Sequence, residues 1–191
     1  TFGTGTNSAT LGSNAAASFS SIVGVGGAET ITLSASQTAI DLGAGIDKIV
    51  TTEALMQAHS GTTHTIDFGA DADTLEMEAA TTGVEDADFR GLSNVETFLF
   101  GTGTNTATFG SRSAALFTTS ITGNTGAETI TLTHSQPVMA LGGGTDKVVT
   151  TETLMKAQDS SGHTINGEGG VDTIEMEAAT TGIDDADFTG L

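Results

Sequence analysis

The feature that most constrains this chain is an internal duplication. Residues 28–33 read Ala-Glu-Thr-Ile-Thr-Leu and return unchanged as residues 127–132, and residues 76–83 return as residues 175–182. Gly3 corresponds to Gly101 and Ala28 to Ala127, so the spacing grows by one residue along the repeat. Tandem copies this similar indicate units that stack on their neighbours. We predict two tandem repeats, residues 1–100 and residues 101–191.

The two copies also differ in how they end. The second copy stops before any counterpart of residues 93–100, and Phe2-Gly3 matches Phe100-Gly101. We therefore expect the chain to be a piece of a longer array, with its boundaries out of register with the repeat.

Composition favours a narrow core. The 191 residues include 26 Gly and contain no Trp, Tyr or Cys. Short segments such as residues 29–33 and 74–78 alternate polar and apolar side chains, with Leu75 and Met77 predicted to point inward. Residues 52–58 are the best helix candidate. These patterns predict an all-β solenoid with short helical insertions and a core of small and β-branched side chains.

The net charge excludes several functions. The chain carries 24 acidic and 5 basic residues, which gives a formal charge of −19. Nucleic-acid binding requires basic side chains that neutralise phosphates, and binding to an anionic membrane surface requires basic side chains as well. The sequence also has no apolar run long enough for membrane insertion. We expect the repeats to associate with one another, and cell-surface polysaccharide is a further candidate partner.

Glycine-rich corners carry the acidic residues. Residues 43–47 read Gly-Ala-Gly-Ile-Asp, and residues 142–146 read Gly-Gly-Gly-Thr-Asp. Glu29 lies 18 residues before Asp47, and Glu128 lies 18 residues before Asp146, so each pair is expected on adjacent coils. Carboxylates and backbone carbonyls are the oxygen ligands that Ca²⁺ takes. The alternative is that the glycines only form turns, which the acidic side chains cap.

The predicted Ca²⁺ ligands are the acidic residues and glycines at these corners. They are Glu29, Gly43, Gly45, Asp47, Asp71, Asp73, Glu128, Gly142, Gly144, Asp146 and Asp172.

Several of these segments resemble a known repeat. Residues 43–49, 142–148 and 167–174 are similar to the glycine- and aspartate-rich nonapeptide of RTX proteins, and residues 88–97 resemble segments of bacterial S-layer proteins and giant adhesins. The resemblance implies a right-handed parallel β-roll or β-helix. It also implies type I secretion and a calcium-rich extracellular location at the cell surface.

Nothing in the sequence favours catalysis. Glu76 and Glu78 form a carboxylate pair, but the pair recurs as Glu175 and Glu177, which suggests a structural surface. His64 and its counterpart His163 are candidates for a transition metal or for hydrogen bonds within a loop. We expect no enzymatic activity.

The leading hypothesis is an extracellular structural repeat of a surface layer, filament or giant-adhesin array, stabilised by calcium. The alternative is a carbohydrate- or ice-binding adhesin module. Thr30 and Thr32, which recur as Thr129 and Thr131, are similar to the threonine pairs of ice-binding solenoids.

Overall fold

Parallel β-sheets dominate the computed structural model, which describes residues 1–60, 63–160 and 163–188. Residues 189–191 of the predicted second repeat lie outside the described residues. The strands of the first half are β1 (Asn7–Leu11), β2 (Ile22–Val23), β3 (Glu29–Leu33), β4 (Ala39–Asp41), β5 (Lys48–Thr51), β6 (Thr65–Asp67), β7 (Thr74–Met77), β8 (Val84–Glu85), β9 (Leu92–Ser93) and β10 (Thr97–Leu99). Those of the second half are β11 (Asn105–Phe109), β12 (Ser120–Asn124), β13 (Glu128–Leu132), β14 (Val138–Gly144), β15 (Lys147–Thr150), β16 (Thr164–Asn166), β17 (Gly169–Gly170) and β18 (Thr173–Met176).

Short helices interrupt the strands at equivalent places in the two repeats. They are α1 (Ser13–Ser18), α2 (Glu53–Ser60), α3 (Ser111–Leu116) and α4 (Glu152–Ser160), with 3₁₀ turns at Asp86–Phe89 and Asp185–Phe188. The helix predicted over residues 52–58 is therefore confirmed as α2, and the Thr52 hydroxyl accepts a hydrogen bond from the Leu55 N–H at 3.3 Å.

The strands form three sheets, and all the pairings between the described strands are parallel. One sheet has nine strands in the order β1-β3-β5-β7-β10-β12-β14-β16, with β17 also paired to β14. A second has the order β18-β15-β13-β11-β8, and a third has the order β2-β4-β6-β9. The expectation of a mostly β chain with few short helices is confirmed, and the parallel stacking is compatible with a solenoid or roll.

The register of the strands stacks apolar side chains into continuous rows. In the nine-stranded sheet, Ile31 lies opposite Ile49, which lies opposite Leu75 and then Phe98. All four side chains are fully buried. Leu75 and Met77 point into this core, as the alternation of residues 74–78 predicts. Burial of such rows supplies the main driving force for stacking the strands.

The two copies of the repeat occupy different sheets. Strands β1, β3, β5 and β7 belong to the nine-stranded sheet, whereas their copies β11, β13, β15 and β18 belong to the five-stranded sheet. The cause is β10, which takes the place next to β7 in the nine-stranded sheet. The following strand, β11, pairs instead with β8. The second repeat therefore starts in another sheet from the first.

A cluster of five phenylalanines joins the two repeats. Phe89, Phe98 and Phe100 from the end of the first repeat meet Phe109 and Phe117 from the start of the second. The ring centroids of Phe89 and Phe117 are 4.9 Å apart, and those of Phe98 and Phe109 are 5.6 Å apart. The expectation of a core of small and β-branched side chains is wrong at this junction, because the aromatic residues scattered along the sequence converge in space.

We predict that this junction is a major source of stability. Phe117→Ala removes a fully buried ring from the cluster and should lower the free energy of unfolding by about 3–5 kcal/mol. Its counterpart in the first repeat, Phe19, is 60% exposed, so Phe19→Ala should change the stability by less than about 0.5 kcal/mol. Urea unfolding of both variants measures the difference. Equal losses would contradict the packing described above.

Candidate functional site

Buried acidic side chains tie the strands of the first repeat together. The Glu29 backbone N–H donates to Asp47 Oδ1 at 2.7 Å, and the Asp47 N–H donates to Asp73 Oδ1 at 2.7 Å. The Asp73 N–H donates in turn to Glu96 Oε2 at 2.9 Å. At the other end, Asn7 Nδ2 donates to Glu29 Oε1 at 2.6 Å. We call these five residues the first acidic ladder.

The second repeat builds the same ladder in the five-stranded sheet. Asn105 Nδ2 donates to Glu128 Oε1 at 2.9 Å, and the Glu128 N–H donates to Asp146 Oδ1 at 2.8 Å. The Asp146 N–H donates to Asp172 Oδ1 at 3.0 Å. These four residues form the second acidic ladder. The expectation that Glu29 lies beside Asp47, and Glu128 beside Asp146, is confirmed by these hydrogen bonds.

Glycines at the corners allow the backbones to stack this closely. Gly45 has a φ of 129°, and a Cβ atom there would lie 2.1 Å from the carbonyl oxygen of Gly27. Such contact is sterically forbidden, and the positive φ is itself unfavourable for other residues. The corner therefore selects glycine, and the acidic residue that follows enters the strand with its side chain directed at the neighbouring backbone.

Each buried ladder carboxylate uses only part of its hydrogen-bonding capacity. Five carboxylate oxygens are buried and have no hydrogen-bond partner among the described residues: Glu29 Oε2, Asp47 Oδ2, Asp73 Oδ2, Glu128 Oε2 and Asp146 Oδ2. The side chains that carry them are at most 1% exposed. A buried charge without a partner is costly, so these oxygens require either protons or cations.

The acidities of the ladder reflect this burial. Burial raises the pKa of Asp47 to about 6, and the nearby Glu29 carboxylate adds to the increase. Burial likewise raises the pKa of Asp73 to about 7, with Asp47 and Glu96 as neighbouring negative charges. The pKa of Glu128 rises to about 7, through burial and then the charge of Asp146. In each case, desolvation outweighs the hydrogen bonds that favour the carboxylate.

The ladders offer oxygen donors to a cation, but only a few at each step. Among the described residues, no group of three or more acidic or histidine side chains is arranged to hold a metal ion. A Ca²⁺ ion takes about six to eight oxygen ligands. The unpartnered carboxylate oxygens suit it chemically. Backbone carbonyls or water would have to complete its coordination.

The remaining predicted ligands lie around the ladder. Gly43 accepts a hydrogen bond at its carbonyl from the Ala70 N–H at 2.8 Å, and Asp71 Oδ2 accepts one from the Gly45 N–H at 3.1 Å. Asp71 is exposed and has a φ of 91°. In the second repeat, Gly142 and Gly144 have φ values of 90° and 146° and pack on the preceding corner, and Asp172 is exposed.

Sequence reasoning missed three members of this network. Glu96 closes the first ladder, and its signal was its position immediately before a strand, the position that Asp47 occupies before β5. The Thr81 N–H donates to Asn105 Oδ1 at 2.9 Å. Asn124 donates to Glu128 Oε1 at 3.0 Å. The Thr81 contact follows from tertiary proximity, for which the sequence contains no local pattern, whereas Asn124 lies only four residues before Glu128 in the chain.

The repeated glutamates on the sheet surface are engaged in ion pairs. Lys48 Nζ lies 2.8 Å from Glu76 Oε2, and the copy of this pair, Lys147 and Glu175, is separated by 3.2 Å. Both pairs are partly exposed, so each contributes at most about 1 kcal/mol.

The histidines hydrogen-bond to serines. Ser36 Oγ and His64 Nδ1 are 2.9 Å apart, and Ser135 Oγ and His163 Nδ1 are 2.8 Å apart. The prediction of hydrogen-bonded loop histidines is therefore confirmed for both copies. His59 lies beside His64 with ring centroids 5.3 Å apart, and burial lowers the pKa of His59 to about 4.

The Ser135 hydroxyl is not poised as a nucleophile. Ser135 Oγ donates to Gln158 Oε1 at 2.8 Å, while Gln158 Nε2 donates to the Gln136 carbonyl at 2.6 Å. Because a hydroxyl has one proton, Ser135 must accept its other hydrogen bond from His163 Nδ1. A general base would need that nitrogen unprotonated.

Comparisons with protein-family models, curated proteins and solved structures found no match. The resemblance to RTX and S-layer segments therefore stays a prediction. Within the described ranges, none of the helices has the length and apolar character needed to cross a bilayer.

We predict that the stability of the calcium-free protein falls as the pH rises from about 4 to about 7. The folded-state pKa values of Asp47, Asp73 and Glu128 lie above their unfolded values. The lowered pKa of His59 acts in the opposite direction, but the three carboxyls outweigh this one group, so the folded state holds more protons in this window and stability is lost as they dissociate. Urea unfolding in EGTA across this pH range measures the effect.

A matched pair of variants isolates the ladder from general charge repulsion. Asp73→Asn should flatten the pH dependence because the amide does not titrate, whereas Asp41→Asn, at an exposed position of β4, should leave it unchanged. A wild-type stability that is constant or rises over this window would contradict the assignment.

Proposed function

We propose that this chain is a right-handed parallel β-solenoid that serves as an extracellular structural repeat of a bacterial surface layer, filament or giant-adhesin array. The observation that carries the proposal is the pair of acidic ladders, in which buried carboxylates bridge successive strands and retain unpartnered oxygens. Such an arrangement suits a role in stabilising stacked strands rather than in turning over a substrate. Continuous parallel pairing through the nine-stranded sheet supports a stiff, extended unit.

Calcium is the cation that the ladders suit best. The residues that would hold it are Glu29, Asp47, Asp73, Glu128 and Asp146, assisted by backbone carbonyls of the corner glycines. Bound Ca²⁺ would neutralise the buried charge and so lock neighbouring strands together. Affinity in the range of extracellular calcium modules, about 10⁻⁴–10⁻³ M, would couple folding to export from the cell.

This coupling fits the composition of the chain. A formal charge of −19 makes a calcium-free chain self-repelling and therefore less stable. Export by type I secretion followed by folding outside the cell is the corresponding route. Self-association of the repeats would then build the array.

A binding module is the second candidate. An open cleft of about 730 Å³ is lined by polar and apolar side chains that include His134, Ser135 and His163, which favours a small polar ligand such as a carbohydrate. Ice binding has less support, because Thr30 lies opposite Lys48 and Thr32 lies opposite Val50, which interrupt the threonine rows. A glycan array tests the carbohydrate alternative.

We predict that Ca²⁺ raises the unfolding temperature at pH 7.5–8. Excess EGTA should lower it, as measured by circular dichroism, because removing the cation leaves the buried carboxylates without a partner. Asp47→Asn should weaken the response to Ca²⁺, while Asp41→Asn, which is exposed, should preserve it. Identical unfolding with and without EGTA would overturn the calcium proposal.

A further inference from the structure

An asparagine amide lies at the centre of the corner that leads into β11. Asn105 Nδ2 donates to the Gly101 and Gly103 carbonyls, each at 3.0 Å, and to Glu128 Oε1 at 2.9 Å. The orientation of this amide is fixed from its other side, because Asn105 Oδ1 accepts a hydrogen bond from the Thr81 N–H at 2.9 Å. Two glycine carbonyls and one carboxylate oxygen therefore converge on a single nitrogen atom. We call these three atoms the corner oxygens.

The first repeat has the same arrangement at the start of β1. Asn7 Nδ2 donates to the Gly3 and Gly5 carbonyls, each at 2.8 Å, and to Glu29 Oε1 at 2.6 Å. An amide group carries only two protons, so one nitrogen cannot satisfy three acceptors at the same time. Carboxylate and carbonyl oxygens gathered around one point are also what a divalent cation such as Ca²⁺ binds. The amide nitrogen therefore lies where a cation would fit.

The second repeat brings another amide to the corner oxygens. Asn124 Nδ2 donates to the Gly101 carbonyl and to Glu128 Oε1, the latter at 3.0 Å. This amide is oriented as well, because Asn124 Oδ1 accepts a hydrogen bond from the Gly126 N–H at 2.6 Å. The counterpart of Asn124 in the first repeat is the apolar Val25. Two amides together supply four protons, so the corner oxygens of the second repeat are satisfied by the protein alone.

Aspartate replaces the asparagine at a later corner of the same repeat. Asp146 follows Gly142 and Gly144 at the spacing that Asn105 has from its own pair of glycines. An ionised carboxylate only accepts hydrogen bonds, so Asp146 cannot donate to carbonyls as an amide does. Its Oδ2 atom is buried and has no hydrogen-bond partner among the described residues. The asparagine corner thus contains its own donor group, whereas the aspartate corner requires a proton or a cation from outside.

We propose that the amides of Asn105 and Asn124 take the place of a cation at this corner, so that the start of the second repeat is held together without calcium. The inference rests on the proposed calcium function and specifies which corners need the ion. Glu128 belongs to both kinds of corner, because its Oε1 accepts from the two amides while its Oε2 has no partner among the described residues. Asn105 also connects the repeats, with Thr81 on one side and Glu128 on the other. We expect this junction to fold in calcium-free solution, before the aspartate corners bind the ion.

Asn105→Asp converts the asparagine corner into an aspartate corner and so tests the proposal. The new carboxylate cannot donate to the glycine carbonyls, so the variant should unfold about 5–15 °C below the wild type in EGTA. Ca²⁺ should restore most of this loss, because the added carboxylate and the corner oxygens can all bind the ion. Circular dichroism measures the unfolding temperatures. Asn14→Asp, the same chemical change at an exposed position of α1, is the matched control and should unfold like the wild type in both solutions.

Asn7→Asp keeps the test decisive if Asn105→Asp does not fold. The contacts of Asn7 with Gly3 and Gly5 are exposed, and Val25 leaves no second amide to compete with an ion. Isothermal titration calorimetry should therefore count one more bound Ca²⁺ for Asn7→Asp than for the wild type.

Two results would overturn the proposal. One is an Asn105→Asp variant that loses the same stability in Ca²⁺ as in EGTA, and the other is an Asn7→Asp variant that binds no additional Ca²⁺. Failure of the calcium function itself is distinguishable from both, because it is detected in the wild type, which would then unfold identically in Ca²⁺ and in EGTA.

Discussion

The structure depends on a hydrogen bond from a backbone N–H to a carboxylate on the neighbouring strand. At each acidic corner the chain passes through a glycine turn and enters the next strand, and the N–H of the acidic residue points along the stack. The neighbouring carboxylate accepts that hydrogen bond, at 2.7 Å for both Glu29 to Asp47 and Asp47 to Asp73. A charge-assisted hydrogen bond of this kind is stronger than one between neutral groups. It fixes the register that aligns the apolar rows.

The same interaction leaves one oxygen of each buried carboxylate without a hydrogen-bond partner. A carboxylate that accepts a backbone hydrogen bond with one oxygen leaves its second oxygen facing a buried, acidic environment. Among the residues that the structure describes, no buried basic side chain lies beside Glu29, Asp47 and Asp73. Lys48 instead pairs with Glu76 on the partly exposed surface. Either a proton or a divalent cation can serve as the missing partner of that oxygen. The stability of a protein with such ladders therefore depends on the pH and on the concentration of divalent cations.

Much of the local structure could be predicted from the sequence. The alternation of residues 29–33 gave strand β3, the repeated Gly-x-Gly-x-Asp pattern gave the corners, and the 18-residue spacing placed Glu29 beside Asp47. These features depend on local geometry, which can be predicted directly from the type and spacing of the residues.

The arrangement of the two repeats could not be predicted in this way. Alternation shows which side chains face inward, but it does not assign a strand to a particular sheet. The second repeat starts in another sheet because β10 pairs with β7. The aromatic junction forms because Phe89 and Phe98 contact Phe117 from the next repeat. Likewise, the corner pattern predicts oxygen donors but not that one oxygen of Asp47, Asp73 and Asp146 accepts a hydrogen bond from a backbone N–H group. Both outcomes are set by tertiary packing.

Native-state hydrogen exchange of the ladder amides, followed by NMR, tests this account most directly. The N–H groups of Glu29, Asp47 and Glu128 donate to buried carboxylates. We predict that they exchange as slowly as amides within the buried strands, through global unfolding. Exchange as fast as that of exposed loop amides would contradict the claim that the acidic ladders hold the strands together.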